Sequence, residues 1–261
     1  MIRLNRILLM LLWMAGVVAA SAQTPLRVAA AADLEPVLPP LLDQFHQSTG
    51  IPVEAAYQAS AALAAQIQNG APFDLFLSAD LSYPKHLIDA GLADAAGTAD
   101  STTPIIYAKG TLVLWSRKDS GLPPPSLDLL RSPNLRTLAI ANPERAPYGR
   151  AAVAALMSLS LFDALKPRLV TAEDIAQTAQ LVDSGKADAG LISLTSALTP
   201  HFASTGAYFE VPRNLYPPLE QSAVIVSRTT QRAAVHKLLN FLLSAPIQAQ
   251  LAKSGLTPVA D

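Results

Sequence analysis

The chain has 261 residues, with 19 lysines and arginines against 20 acidic residues, and it contains no cysteine. A net charge of −1 leaves no basic surplus that would collect nucleic acid or an anionic membrane surface. Without cysteine, neither a disulfide nor a lipoprotein anchor, which needs a cysteine after the cleavage site, is possible. The length suits one large domain or two lobes of about 120 residues each.

The first residues have the composition of a secretion signal. Arg3 and Arg6 form a short basic start, an uncharged apolar run follows over residues 7–20, and Ala20-Ser21-Ala22 has the small-x-small form that signal peptidase cuts. The apolar run is short for a membrane span, which favours a cleaved signal over an uncleaved anchor. We therefore predict that residues 1–22 are a cleaved Sec signal peptide and that the mature protein is periplasmic.

Short apolar runs alternate with helical stretches along the chain, a pattern that predicts an α/β fold with mainly parallel sheets. The first series consists of strand Leu26–Ala31, helix Leu34–Gln47, strand Val53–Tyr57, helix Ala61–Asn69, strand Phe73–Ser78 and helix Ser82–Ala90. The second series consists of strand Thr111–Ser116, strand Thr137–Ala141, helix Gly149–Leu159, a strand near Arg168–Thr171, helix Asp174–Ser184 and strand Ala189–Ser193. The chain then continues with strand Ser222–Ser227, helix Gln231–Leu243 and helix Pro246–Lys253.

The two series predict two lobes, with the second inserted into the first. We expect residues 23–108 to form the first part of lobe 1, residues 109–220 to form lobe 2, and residues 221–261 to return to lobe 1. In this arrangement the chain crosses between the lobes twice, near residues 106–112 and 218–224.

Four junctions place a small or polar residue at the start of a predicted helix: Ala32-Asp33, Ser60, Pro147-Tyr148-Gly149 and Asp174-Ile175. A helix N-terminus carries unpaired N–H groups and a partial positive charge, so it binds an anion without a charged side chain. In α/β sheets such junctions cluster at the carboxyl ends of the strands. Each junction alone also has a simpler explanation, since Asp33, Ser60 and Asp174 are good N-caps and Tyr148 suits a packed turn. Their joint arrangement, two in each lobe, is what favours an anion site.

Catalytic patterns are weak by comparison. There is no thiol nucleophile, and the four histidines, His46, His86, His201 and His236, lack metal-ligand spacing. The chain contains no nucleophile elbow, P-loop or dinucleotide-binding glycine motif. We therefore predict a binding protein without catalytic activity, cofactor or metal-ligating side chains.

Several segments resemble one family in their order and spacing. They are VAAAADL (28–34), ASAALAAQIQNGAPFDLFLSAD (59–80), YAKGTLVLWS (107–116), AIANPERAPYGRAAVAAL (139–156) and AEDIAQTAQLVDSGKADAGLI (172–192). The chain resembles the periplasmic molybdate-binding proteins of ABC transporters from about Leu26 to Pro258. The resemblance implies a two-lobed type II periplasmic binding fold, molybdate or tungstate as the ligand, a membrane permease as the partner, and a monomer.

The resemblance also implies which residues hold the anion. By position they are Ala32 or Asp33, Ser60, Tyr148 and the backbone N–H of Ile175, all neutral donors apart from the Asp33 side chain. Selection for a large tetrahedral ion would follow from cavity size, because a smaller ion such as sulfate does not reach every donor at once. One branch of the family has a further tyrosine at the position of Ser193, and this chain lacks it.

Asp33 departs from the family pattern, which has serine or another neutral donor there. A carboxylate offers only acceptors and repels a dianion. We expect Asp33 to turn away, cap the helix Leu34–Gln47 and lend only its backbone N–H to the ligand. Two alternatives are that it accepts a proton from a monoprotonated anion such as hydrogen phosphate, or that the site binds something else. A binder of phosphate or another small anion, and an enzyme on the same fold, are therefore the rival functions.

Overall fold

The structure, a computed structural model, describes residues 24–95 and 102–259, so the predicted signal peptide lies outside the described residues. Within this part of the chain, the strands form two sheets flanked by helices. The first lobe, defined as the larger sheet with its helices, begins with β1 (Leu26–Ala31), α1 (Leu38–Thr49), β2 (Val53–Gln58), α2 (Ser60–Gln68), β3 (Leu75–Ser78), α3 (Ser82–Asp89), β4 (Ala93–Ala95) and β5 (Ile105–Gly110).

The second lobe is built on the smaller sheet. It comprises β6 (Leu112–Arg117), β7 (Leu138–Ala141), α4 (Pro147–Ser158), α5 (Phe162–Leu165), β8 (Leu169–Ala172), α6 (Ile175–Asp183), β9 (Ala189–Ser193), α7 (Leu194–Ala197), α8 (Pro200–Thr205) and β10 (Gly206–Glu210). The chain then returns to the first lobe with β11 (Leu219–Val226), α9 (Arg232–Leu243), α10 (Ala245–Lys253) and β12 (Thr257–Pro258). Short 3-10 turns occur at Ala32–Leu34, Leu127–Arg131, Lys166–Arg168 and Arg213–Leu215.

The first sheet has the strand order β12-β5-β11-β3-β1-β2, with β4 paired to β11, and the second has the order β10-β6-β9-β7-β8. β1 runs parallel to β2 and β3, and β7 runs parallel to β8 and β9. The carboxyl ends of each parallel set therefore lie at one edge of their sheet, where the connecting segments form a site. These edges carry the start of α2 in the first lobe and the starts of α4 and α6 in the second.

Helix α1 shows how the sequence specifies its elements. Its buried residues Leu38, Leu41, Leu42 and Phe45 recur at helical spacing and pack into the core of the first lobe. The helix ends at Gly50, whose φ of 72° is the left-handed conformation that glycine adopts without strain. Strand β3, by contrast, is buried along its whole length, as expected for a strand covered on both faces.

The two-lobed α/β architecture predicted from the sequence is confirmed, but the prediction of mainly parallel sheets is wrong. Around each parallel set lie antiparallel strands: β11 pairs antiparallel with β3, β4 and β5, and β6 pairs antiparallel with β9 and β10. The reason is topological, because the strands that cross between the lobes and return must run opposite to those beside them. The chain passes from the first sheet to the second at Thr111 and returns to the first between Glu210 and Leu219. The predicted lobe boundaries at 108/109 and 220/221 stay a prediction.

In the described ranges, no single helix is long and apolar enough to cross a membrane. One pair of neighbouring segments, residues 147–158 and 162–168, reaches the required length and composition together, with a bend of 117° between them.

Candidate functional site

A small pocket lies between the two lobes. All five residues proposed from the sequence line it: Ala32, Asp33, Ser60, Tyr148 and Ile175. They come from both lobes, as the sequence predicted for converging helix starts. No lysine, arginine or histidine is among the described residues that line the pocket.

Ser60 is the first residue of α2 and is almost fully buried. The N-cap of this helix is Ala59, so the Ser60 side chain does not cap it. Its Oγ instead accepts a hydrogen bond from the backbone N–H of Ala79, which follows β3, at 3.2 Å. Because the hydroxyl acts there as an acceptor, its own proton is available to an acceptor in the pocket.

Tyr148 lies in the first turn of α4 and is buried. Pro147 precedes it in the same turn, where a proline costs no hydrogen bond. Gly149 follows because a Cβ at this position would lie 2.3 Å from the carbonyl oxygen of Ala141, which rules out any side chain without a backbone shift. The Pro-Tyr-Gly sequence therefore packs the start of α4 closely against the end of β7.

Helix α6 begins at Ile175, which is buried and lines the pocket. Asp174 is its N-cap, and the carboxylate accepts from the backbone N–H of Gln177 at 2.8 Å. The capping alternative is therefore correct for Asp174. The first N–H groups of the helix, beginning with Ile175, have no intrahelical acceptor and lie at the positive end of the helix dipole.

Asp33 does not cap a helix, and this expectation from the sequence is wrong. It lies in a 3-10 turn, and α1 begins only at Leu38, with Val37 as an N-cap that makes no side-chain bond. The physical reason is the pair Pro39 and Pro40, which lack the N–H groups that a helix starting at Leu34 would require from them. The prolines are tolerated only in a first turn, so the α-helix starts later than predicted.

The Asp33 carboxylate is instead part of a buried cluster, defined as Asp33, Tyr148 and Gln221. Its Oδ2 accepts from the Tyr148 hydroxyl at 3.1 Å and from Gln221 Nε2 at 2.5 Å. Its Oδ1 is buried and has no hydrogen-bond partner in the described part of the chain. Burial raises the pKa of Asp33 to about 6, against the smaller lowering effect of the two hydrogen bonds. Burial likewise raises the pKa of Tyr148 well above its usual value.

Gln221 is the member of this cluster that the sequence analysis missed. It lies in β11, is fully buried, and accepts a hydrogen bond from Tyr107 at 3.3 Å. An amide in an apolar strand (LEQSAVIV) indicates a buried polar partner, but the sequence does not say which one.

A second set of contacts joins the lobes through residues close in sequence to those that line the pocket. This rim clasp, defined as Asp80, Tyr83, Glu144 and Arg150, contains an ion pair between Arg150 and Asp80. Arg150 also donates to the Tyr83 hydroxyl at 2.9 Å, and that hydroxyl donates to the Glu144 carbonyl at 3.3 Å. The rim clasp is thus a contact between the lobes that is separate from the buried cluster.

Ser193, where one branch of the resembling family has tyrosine, makes its hydrogen bonds outside the pocket. It is the N-cap of α7, and its Oγ accepts from the Ser196 backbone N–H at 3.3 Å and lies 2.8 Å from the Thr195 hydroxyl oxygen. It does not line the pocket. Among the described residues, no group of three histidine, cysteine or acidic side chains is placed to hold a metal ion.

Comparison with known proteins agrees with this geometry. Residues 26–257 match the family described as bacterial extracellular solute-binding protein. The chain is 36% identical over 229 residues to the molybdate-binding protein ModA of Azotobacter vinelandii, covering 87% of this chain and 88% of that protein. It is 35% identical over 198 residues to ModA of Rhodobacter capsulatus, covering 76% and 74% of the two chains. The solved periplasmic molybdate-binding protein of Azotobacter vinelandii superposes with a TM-score of 0.83 at 32% identity, over 90% of this chain and 100% of that chain.

Proposed function

Since the chain belongs to the family of bacterial extracellular solute-binding proteins, we propose that it captures molybdate or tungstate for an ABC importer. The observation that carries this proposal is the convergence of neutral donors from both lobes on one small buried pocket. Molybdate would be held through its oxygens, with no side chain bonded to the metal. Similar proteins over most of the chain are named for molybdate binding, which supports the same ligand class.

The donor chemistry suits a tetrahedral oxyanion. The Ser60 hydroxyl has a proton to donate, the N–H of Ile175 lies at a helix N-terminus, and the 3-10 turn at Ala32 presents backbone to the same pocket. Helix ends hold an anion without a lysine or arginine. A smaller anion leaves some of these donors unpaired, and an unpaired buried donor costs about 1 to 3 kcal/mol.

The proposal extends to the protein's surroundings. We infer that residues 1–22 direct export, that the protein works as a monomer in the periplasm, and that its partner is the membrane permease of the importer. Release of the ion to the permease is a transport step, so no reaction on the ligand and no cofactor form part of this proposal.

A phosphate-type anion is the second candidate, and Asp33 is the observation that favours it. A buried carboxylate oxygen without a partner accepts a hydrogen bond, and a protonated anion supplies one.

The test is a thermal-shift panel on residues 23–261 with molybdate, tungstate, sulfate, phosphate and chromate. An ion that binds the folded state raises its stability by about 4 kcal/mol at a thousand-fold excess over the dissociation constant. We expect large shifts with molybdate and tungstate and small ones with sulfate and phosphate. A shift with phosphate alone would support the second candidate, and no shift with any ion would contradict both.

A further inference from the structure

The buried cluster holds a carboxylate that no cation compensates. Asp33 is fully buried, lines the pocket, and forms none of the ion pairs seen in the described residues. A buried charge without a partner is costly, and a dianion brought into the same pocket adds electrostatic repulsion. The site as it stands with Asp33 ionised is therefore a poor anion site, despite its neutral donors.

The Tyr148 hydroxyl has a single proton, and two acceptors compete for it. In the structure this proton is donated to Asp33 Oδ2 at 3.1 Å. A hydrogen bond to a charged acceptor is about twice as strong as one to a neutral acceptor. While Asp33 is ionised, it is a charged acceptor that already holds the Tyr148 proton, so the hydroxyl offers a ligand only its lone pairs. Once Asp33 is neutral, a bound dianion is the stronger acceptor of the two.

We propose that the oxyanion binds together with one proton, which neutralises Asp33 at Oδ1 and releases the Tyr148 hydroxyl to donate to the anion. The inference rests on the oxyanion-binding function proposed above. One dianion and one proton from solvent enter the site, and a single O–H bond forms at Oδ1, the oxygen without a partner. Tyr148 keeps its own proton and changes only its acceptor. Gln221 continues to donate to Oδ2.

Of Asp33 and the side chains that contact it, only Asp33 titrates near neutral pH. Tyr107 from β5 and Tyr148 from α4 have pKa values raised well above the usual range by burial, so both stay neutral. Gln221 from β11 does not titrate, and Thr195 from α7 donates to the Asp33 backbone carbonyl at 2.7 Å. Burial raises the pKa of Asp33 to about 6, so above that pH the empty site lacks the required proton.

Calorimetry with molybdate tests this on residues 23–261. Molybdate remains a dianion between about pH 6 and 8, so a proton taken up in this range enters the protein. Repeating the titration in buffers of different ionisation enthalpy gives the number of protons. We expect about one proton to be taken up per ion near pH 8, and the affinity to fall by up to about tenfold per pH unit above pH 6.

Two substitutions test whether the proton binds to Asp33 and not to another acid. Asp33→Asn keeps the side-chain volume and removes the charge, so we expect no proton uptake, a flat pH profile and tighter binding than wild type at pH 8. Glu35→Gln is the matched control, because Glu35 is an exposed acid on the same segment and does not line the pocket. This control should retain the proton uptake of the wild type.

The outcomes distinguish this inference from the function on which it rests. Tight molybdate binding by the wild type with no proton uptake would overturn the inference and leave the function intact. Proton uptake that persists in Asp33→Asn would overturn it as well. No molybdate binding at any pH would overturn the proposed function and this inference together.

Tyr148→Phe tests the hydroxyl separately and still applies if Asp33→Asn does not fold. The variant should lose more affinity at pH 6 than at pH 8, because at pH 8 the wild type gives up the hydrogen bond from Tyr148 to ionised Asp33 when the ion binds. An equal loss at both pH values would show that Asp33 does not compete for this proton.

Discussion

The buried cluster and the rim clasp both join the two lobes, and their electrostatics differ. In the rim clasp the Arg150 guanidinium is paired with Asp80, and the two side chains are 38% and 16% exposed. In the buried cluster the Asp33 carboxylate is fully buried and meets only neutral donors, Tyr148 and Gln221. An exposed ion pair contributes at most about 1 kcal/mol, because water solvates both groups when the lobes separate. The charge on Asp33 is buried and unpaired, so the stability of the buried cluster depends on pH.

The largest effect is expected from Gly149→Ala, because Gly149 lies between Tyr148 of the buried cluster and Arg150 of the rim clasp. The new Cβ would lie 2.3 Å from the Ala141 carbonyl oxygen, so the start of α4 must move, and Tyr148 with it. We expect the free energy of unfolding to fall by about 3 kcal/mol, measured by urea denaturation. Gly91→Ala is the control, because a Cβ there meets nothing within 4 Å and only the φ of 69° is strained. Equal losses in the two variants would contradict the close packing.

Ser60→Ala removes a pocket donor without touching either lobe contact. Losing a hydroxyl that donates to the anion should weaken molybdate binding by about 2 kcal/mol in calorimetry. Stability should fall as well, by about 1 to 3 kcal/mol, because the buried Ala79 N–H loses the Ser60 Oγ as its acceptor. Ser48→Ala, which removes a hydroxyl bonded to the Phe45 carbonyl on α1, is the control and should bind as the wild type does. An unchanged dissociation constant in Ser60→Ala would remove it from the site.

Asp33→Asn tests the buried cluster through the stability of the ligand-free protein. The folded pKa of Asp33, about 6, lies above the ordinary value of 3.8, so the folded state retains a proton that the unfolded chain loses. The stability that this proton provides is present at low pH and is lost as pH rises through about 6. Relative to the wild type, the variant should therefore gain about 1 kcal/mol between pH 5 and pH 8, measured by urea unfolding at both values. A constant difference would mean that the carboxylate is not desolvated.

The smallest effect is expected at the rim. Arg150→Met removes the ion pair with Asp80 but keeps an unbranched side chain, so molybdate affinity should fall by less than about threefold. Because the pair is partly exposed, the difference from the wild type should shrink further in 1 M salt. A tenfold or larger loss of molybdate affinity that persists in 1 M salt would mean that the rim clasp contributes as much to binding as the buried cluster.

What the sequence predicted well is local. The starts of α2, α4 and α6 were placed within two residues, because a small or polar residue after an apolar run indicates a helix N-terminus. That Asp174 is an N-cap follows from the same local pattern. The site residues could therefore be named before the structure was known, since each belongs to a junction that the chain specifies by itself.

What the sequence did not predict is non-local. Asp33 was expected to cap a helix because capping is the local use of an aspartate, whereas its hydrogen-bond partners are 115 and 188 residues away. The prolines at 39 and 40 are a local signal against that helix start. Strand β5 is absent from the prediction because Lys109, Gly110 and Thr111 interrupt the apolar pattern before β6, and its pairing with β11 joins residues about a hundred positions apart.

The crossing at Thr111 makes the second lobe one continuous insertion within the sequence of the first lobe. Its two ends lie side by side, because the Val211 N–H donates to the Leu112 carbonyl at 3.0 Å and the Leu112 N–H donates to the Tyr216 hydroxyl at 3.1 Å. In the first lobe, Gly110 and Leu219 are direct partners across the antiparallel pair β5 and β11. Cutting out everything between them would leave two paired strands whose ends a tight turn can connect. The first lobe is thus built like a sheet protein in which one hairpin turn has been replaced by a hundred-residue insertion.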